Sequence, residues 1–153
     1  MKLYIVLLIV NSCLISFGQI DNSMLKMRVE LNDYKTACLE EGFKGCLYIS
    51  NISNQKLKLP KHFDLGYYLF DNQNNKLPYR KNAMYEYALK INLDKRLIKP
   101  NDTIKVHFFE DRLNYEYDLK KDHTYYIQYF LLHKAFLPNI QSTKIKFKYP
   151  GVL

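Results

Sequence analysis

The side chains able to do chemistry are few and scattered. Four histidines, His62, His107, His123 and His133, stand far apart in the chain, with no HExxH or His-x-His spacing to build a metal-binding face. Alternation along its strand puts His107 opposite Ile104, Val106 and Phe108, facing solvent. Gly42-x-x-Gly45 lacks the spacing of a phosphate cradle, and there is no G-x-S-x-G nucleophile elbow. Glu110, Asp111, Glu116 and Asp118 crowd one segment without the D-x-D-x-D-G pattern of a calcium loop, so a solvated acidic loop is expected there. No triad, dyad, metal set or cofactor-binding motif emerges, and an enzyme with an unrecognised site remains only a third reading of the function.

Cys38 and Cys46 are the cysteines left after Cys13 of the N-terminal segment. In an oxidising compartment they invite a disulfide closing the loop from Leu39 to Gly45, a constraint worth roughly 2 to 3 kcal/mol. The alternative is that Cys46 is a small buried hydrophobe on a strand and Cys38 a free thiol. Two cysteines without a second ligand pair fall short of tetrahedral zinc.

Charge is more informative. The 153-residue chain has 23 Lys+Arg against 15 Asp+Glu, a formal net charge of +8. After His123 the only charged residues are Lys134, Lys144, Lys146 and Lys148, and the last three share one face of the final strand. Such a stripe attracts an anionic partner. It equally protects an exposed edge strand against pairing with another sheet.

Those residues have to be positioned by a fold, and the chain opens with what reads as an export signal. Met1-Lys2, the apolar run Leu3–Val10 and the small residues Ser16 and Gly18 have the three parts of a secretory signal peptide, with cleavage between Gly18 and Gln19. The run is too short to span a bilayer, which takes about 20 apolar residues. Val10-Asn11-Ser12-Cys13 loosely resembles a bacterial lipobox, so anchoring through an acylated Cys13 is the rival expectation. Residues 1–18 are thus expected to leave residues 19–153 as one domain in the periplasm or outside the cell.

That domain reads as strands. Leu25, Met27, Val29 and Leu31 alternate with Lys26, Arg28 and Glu30, the period of a strand with one wet face. Thr36–Gly42 could form one helical turn. Cys46–Ser50, Leu57–Leu59, Leu65–Phe70, Met84–Leu93, Ile104–Phe108, Tyr125–Leu132 and Lys144–Tyr149 follow, separated by the turn-forming Asn51–Gln55, Asp71–Asn75 and Pro100–Asp102. The unbroken apolar character of Leu65–Phe70 predicts a strand covered on both faces. Seven or eight short strands, with a turn about every ten residues, predict an antiparallel β-sandwich.

Leu119-Lys-Lys-Asp122-His-Thr-Tyr125-Tyr-Ile127-Gln-Tyr129 resembles the tyrosine corner of fibronectin type III and immunoglobulin-like sandwiches. A leucine there precedes by six residues a tyrosine whose hydroxyl bonds backbone just upstream. The register with Asp122 before Tyr126 would place Gln128 at a core position, so Tyr125 is preferred. Leu97-Ile-Lys-Pro-Asn-Asp-Thr-Ile-Lys-Val resembles the L-x-P-G-E-x-hydrophobic strand opening of secreted bacterial Ig-like domains, with Asn101-Asp102 in place of Gly-Glu. The resemblance implies an Ig-like fold, and folds of this kind host unrelated functions. An exported, non-catalytic interaction module is therefore expected. It would bind a protein or an anionic envelope polymer through Lys144, Lys146 and Lys148 or through end loops. The alternative is an inhibitor or immunity protein blocking a secreted enzyme or toxin. Nucleic acid is not the expected partner of an exported chain.

Overall fold

The computed structural model describes residues 19–32, 43–80, 88–110, 113–137 and 140–149. The expected signal peptide, Cys13, the Thr36–Gly42 turn with Cys38, Met84–Tyr87 and Asp111 lie outside these residues. Among them are nine strands and a single helical turn: β1 (Leu25–Asn32), β2 (Phe43–Asn51), β3 (Leu57–Lys58), β4 (His62–Phe70), β5 (Leu89–Asn92), β6 (Leu97–Ile98), β7 (Thr103–Glu110), α1 (Leu113–Glu116), β8 (Thr124–Leu132) and β9 (Ile145–Lys148). No helix among them is long and apolar enough to cross a membrane.

The fold is all-β. One sheet has the order β1-β2-β7, a second β5-β4-β8-β9, and β3 pairs with β6 as a two-stranded ribbon; all these pairings are antiparallel. Antiparallel pairing lets each strand bury one face and wet the other, which is what the alternating sequences demand. Leu25, Met27, Val29 and Leu31 of β1 are buried, as are Phe63, Leu65, Tyr67 and Leu69 of β4 and Tyr125, Ile127, Tyr129 and Leu131 of β8.

These inner faces meet in one core. Edge-on aromatic contacts bridge the two large sheets: Phe43 of β2 meets Phe147 of β9 at 5.2 Å between ring centroids, and Phe108 of β7 meets Tyr129 of β8 at 5.4 Å. Such pairs add about 0.5–1.5 kcal/mol beyond their area.

The turns follow their local chemistry. Asp71 Oδ1 accepts the amides of Gln73 and Asn75 at 2.9 and 2.8 Å, and Asn74 takes the left-handed conformation at φ 68°, so the Asp71–Asn75 loop reverses the chain. The return through Leu77 pairs with β4 only briefly, the Leu77 amide donating to Leu69 O at 2.8 Å. Asn101, at φ 65°, turns the chain into β7.

One end is tied by a buried polar residue. Asn51 is 0% exposed; its amide nitrogen donates to Gln55 O (2.7 Å) and Ile98 O (3.1 Å), and its carbonyl oxygen accepts from the Ser53 amide (3.0 Å) and hydroxyl (2.7 Å). Every hydrogen-bonding position of the side chain that this geometry can use is filled, which is the condition for burying an amide.

Candidate functional site

The outer face of the β5-β4-β8-β9 sheet carries the residues that its strands turn away from the core. Tyr68 and Phe70 on β4, and Tyr126 and Phe130 on β8, are partly buried there, and Leu132 is 43% exposed. The register sets Phe70 opposite Tyr126 and Tyr126 opposite Lys146. Tyr68 and Phe130 stack at 4.4 Å, over the space that Gly66 leaves open by lacking a side chain. The β4 run is thus not covered on both faces as its sequence suggested. Its outer aromatics are sheltered by one another and by lysine side chains.

Lys76 Nζ lies 3.4 Å from the centroid of Tyr68, and Lys144 Nζ lies 3.4 Å from that of Phe70 while also donating to Asn74 Oδ1. An ammonium over a ring face is held by the ring quadrupole without being neutralised. Among the described residues neither lysine, nor Lys146, is ion-paired with a carboxylate. Lys148 differs: it pairs with Asp122 at 2.9 Å, and the lysine holds that carboxyl below its usual range. Of the expected stripe, Lys146 and Lys148 lie on the edge strand β9 and Lys144 just before it, and among the described residues only Lys148 has a carboxylate partner.

At the other end of the same sheet is a groove of about 750 Å³, bounded by the β3–β4 connection, the start of β4, β5 and the end of β8. Its exposed walls carry Lys61, Lys90 and Arg96, with His62 and His133 between them and Asp64 as its one carboxylate. Arg96 is fixed by its Nε donating to Leu59 O at 3.1 Å. His62 Nδ1 bonds Asn92 Oδ1, its cross-strand partner. His133 Nδ1 accepts the Ala135 amide at 3.0 Å, which leaves Nε2 as the protonated nitrogen of the neutral ring. The volume falls in the range of small-molecule sites, about 300–1,000 Å³. The sequence reading missed this groove. Lys61 is some thirty residues from Lys90 and Arg96 and meets them only through the β4–β5 and β3–β6 pairings, a convergence with no local signal.

The remaining expectations fall out as follows. Cys46 is a free thiol, not half of a disulfide: it is 3% exposed, and its Sγ lies 3.2 Å from Nδ1 of His107, which the β2–β7 register sets directly opposite. Cys38 lies outside the described residues. His107 is exposed, as alternation required, though engaged by that thiol.

The acidic segment is not a solvated loop. Glu110 is 1% and Glu116 5% exposed, because β7 and α1 turn them inward, and the Tyr67 hydroxyl donates to Glu116 Oε2. Leu113 and Tyr117, both buried, flank Glu116 and are the signal that this segment enters the core. Burial and the nearby Glu110 and Glu116 push the Tyr67 hydroxyl far above its ordinary pKa; Tyr117 is raised mainly by burial. Of the described members of the group, Asp118 stands in water, paired with Arg80 at 2.6 Å. The cavity beside Glu116, about 110 Å³, is too small for more than a few waters. Among the described residues no three His, Cys, Asp or Glu side chains come together as metal ligands.

Tyr125 is buried, and its hydroxyl accepts the amide of Lys120 at 2.9 Å; Leu119 packs against the core nearby.

No family model matches the chain, and no curated protein matches its sequence. Among solved structures, beta-glucuronidase 2 of Bacteroides uniformis, covalently bound to cyclophellitol-6-carboxylate aziridine, is similar at 11% identity with a TM-score of 0.33. The match covers 80% of this chain and 12% of the enzyme.

Proposed function

We propose that the chain is an exported, non-catalytic interaction module of the immunoglobulin-like type, which takes an anionic partner on the outer face of its β5-β4-β8-β9 sheet. The observation that carries the proposal is the set of lysines Lys76 and Lys144, held over aromatic rings, and Lys146, set opposite Tyr126, none of which is ion-paired with a carboxylate among the described residues. Structural surface lysines are ordinarily spent on ion pairs or left to move in water. A field of unbalanced ammonium groups on one sheet face steers an anion towards it.

The fold assignment is supported by strand order. In sandwiches of this type the first, second and fifth strands share one sheet, while the third, sixth and seventh share the other with an added edge strand. With the ribbon β3-β6 set aside, β1-β2-β7 and β5-β4-β8-β9 follow that arrangement. The Tyr125 hydroxyl bond to the Lys120 amide supports the corner assignment. Export rests on the signal-like pattern of residues 1–18.

The test compares two triple variants of equal charge for retention on a sulfated resin. Lys76→Glu/Lys144→Glu/Lys146→Glu alters the proposed face, and Lys26→Glu/Lys44→Glu/Lys105→Glu alters the other sheet. The first is expected to elute at clearly lower salt than the second. Equal loss would mean that only bulk charge acts, and the proposal would fall.

A further inference from the structure

We infer that the groove walled by Lys61, Lys90 and Arg96 binds an acidic oligosaccharide. The inference rests on the reading of an anionic partner and adds the site and the ligand class. The groove opens on the proposed face: Asp64 and Leu132, which line it, are outer residues of β4 and β8 and sit opposite one another in the register. It lies about 20 Å along β4 from the Phe70 end, at ~3.3 Å per residue.

Its chemistry selects among anions. Lys61 and Lys90 are exposed and without an ion pair among the described residues, so two cations are available to carboxylate or sulfate groups. A groove made for a bare polyanion would hold no acid, yet Asp64 stands among these cations. A carboxylate there is useful to a ligand that also presents hydroxyl donors. His133 Nε2–H and the Asn92 amide supply donors for hydroxyl or ring oxygens. Pro60 and the exposed Leu132 offer an apolar strip for the C–H face of a sugar ring.

A nucleobase would need an open aromatic face on which to stack. The one phenyl ring in the lining, Phe63, is 3% exposed and packs edge-on against Phe136 at 5.5 Å, so it presents none. A polyhydroxylated anion fits this set of groups better than a nucleic acid, which would have to stack on the small rings of His62 and His133.

Calorimetric titration of the purified chain tests the inference with four probes: a heparin-derived tetrasaccharide, a neutral glucose tetrasaccharide, inorganic tripolyphosphate and a short oligothymidylate. The variants are Lys61→Glu/Lys90→Glu in the groove, Lys144→Glu/Lys146→Glu on the far end of the face, and Asp64→Asn. Each is first required to melt as the parent does. The parent is expected to bind the acidic tetrasaccharide and not the neutral one. The groove variant should bind it about tenfold more weakly or worse, and the far-face variant within about threefold of the parent. Asp64→Asn should weaken the tetrasaccharide while strengthening tripolyphosphate, a pairing of effects that general charge would not produce.

If the far-face variant loses the tetrasaccharide and the groove variant keeps it, the groove assignment is wrong while the anionic-partner reading stands. Tripolyphosphate or oligothymidylate binding as tightly as the tetrasaccharide overturns the sugar assignment. A parent that binds none of the anionic probes overturns both.

Discussion

Replacing Asn51 by alanine should be among the most damaging single changes available in this chain. The substitution removes four hydrogen bonds, two donated to Gln55 O and Ile98 O and two accepted from Ser53, at a position with no exposed surface. Each is worth about 0.5–1.5 kcal/mol net. The total is about 3–5 kcal/mol, a large part of the ~5–15 kcal/mol that holds a domain folded.

The backbone bonds of Asn51, its amide to Asp102 O and its carbonyl from Asn101 N, both at 2.9 Å, are untouched, so the measurement isolates the side chain. The chain has no Trp and 14 Tyr, so denaturant unfolding is followed by far-ultraviolet circular dichroism. Asn51→Asp sharpens the test. It keeps the shape but sets a carboxylate against two carbonyl oxygens. Burial and those oxygens raise its folded-state pKa above the unfolded one, so the deficit against the parent should shrink as pH falls and grow as pH rises. A loss below about 1 kcal/mol for Asn51→Ala, or a pH-independent deficit for Asn51→Asp, would refute the view that this amide ties the end of the sandwich.

Tyr125→Phe should cost about 1 kcal/mol, since it removes the acceptor of the Lys120 amide and leaves the ring in place; an unchanged melting temperature would remove the corner from the account. At Gly45 an added Cβ would lie 2.4 Å from the Phe108 ring, which is buried against Tyr129, so Gly45→Ala should cost about 1–3 kcal/mol. Gly66→Ala meets Phe130 at 2.6 Å, but that ring can swing towards solvent, and the smaller loss expected there should appear in the same denaturant series. Tyr67 and Tyr117 have hydroxyls raised above their ordinary value of 10.0. Their stabilisation is complete below that pH, where the unfolded chain is also protonated, and falls as pH rises through it. Alkaline unfolding should therefore begin near the unfolded tyrosine pKa, with the last tyrosines ionising together with loss of sheet signal; their ionisation in a fully folded chain would contradict their burial.

Much of the fold was legible where one face of a strand is wet. The alternations in β1, β7 and β9 put the buried and exposed residues on their observed sides, because period two has one physical meaning. Reading failed where a polar or apolar residue was on the unexpected side of its own pattern. Asn51 heads a turn-forming cluster, yet its bonds to Ser53 and Gln55 within that turn and to Ile98 of a distant strand make its burial favourable. Glu110 and Glu116 looked like a wet loop until Tyr67, nearly fifty residues upstream of Glu116, met one of them in the core. Tyr68 and Phe70 looked doubly covered because lysine stems cannot be seen as neighbours in a linear chain. The β9 lysines were visible by spacing, whereas the groove was not, since its walls come from four separate segments.

The lysines resting on Tyr68 and Phe70 have a thermodynamic side. A free surface lysine gives up as much as about 2 kcal/mol of rotamer freedom when a partner immobilises it. Lys76 and Lys144, resting on ring faces, give up part of that freedom on folding, so the anionic partner proposed above would meet charges whose separation is already partly set. A rigid spacing favours polymers whose repeat matches it over those that merely carry more charge. Discrimination on this face is therefore expected to follow the distance between anionic groups.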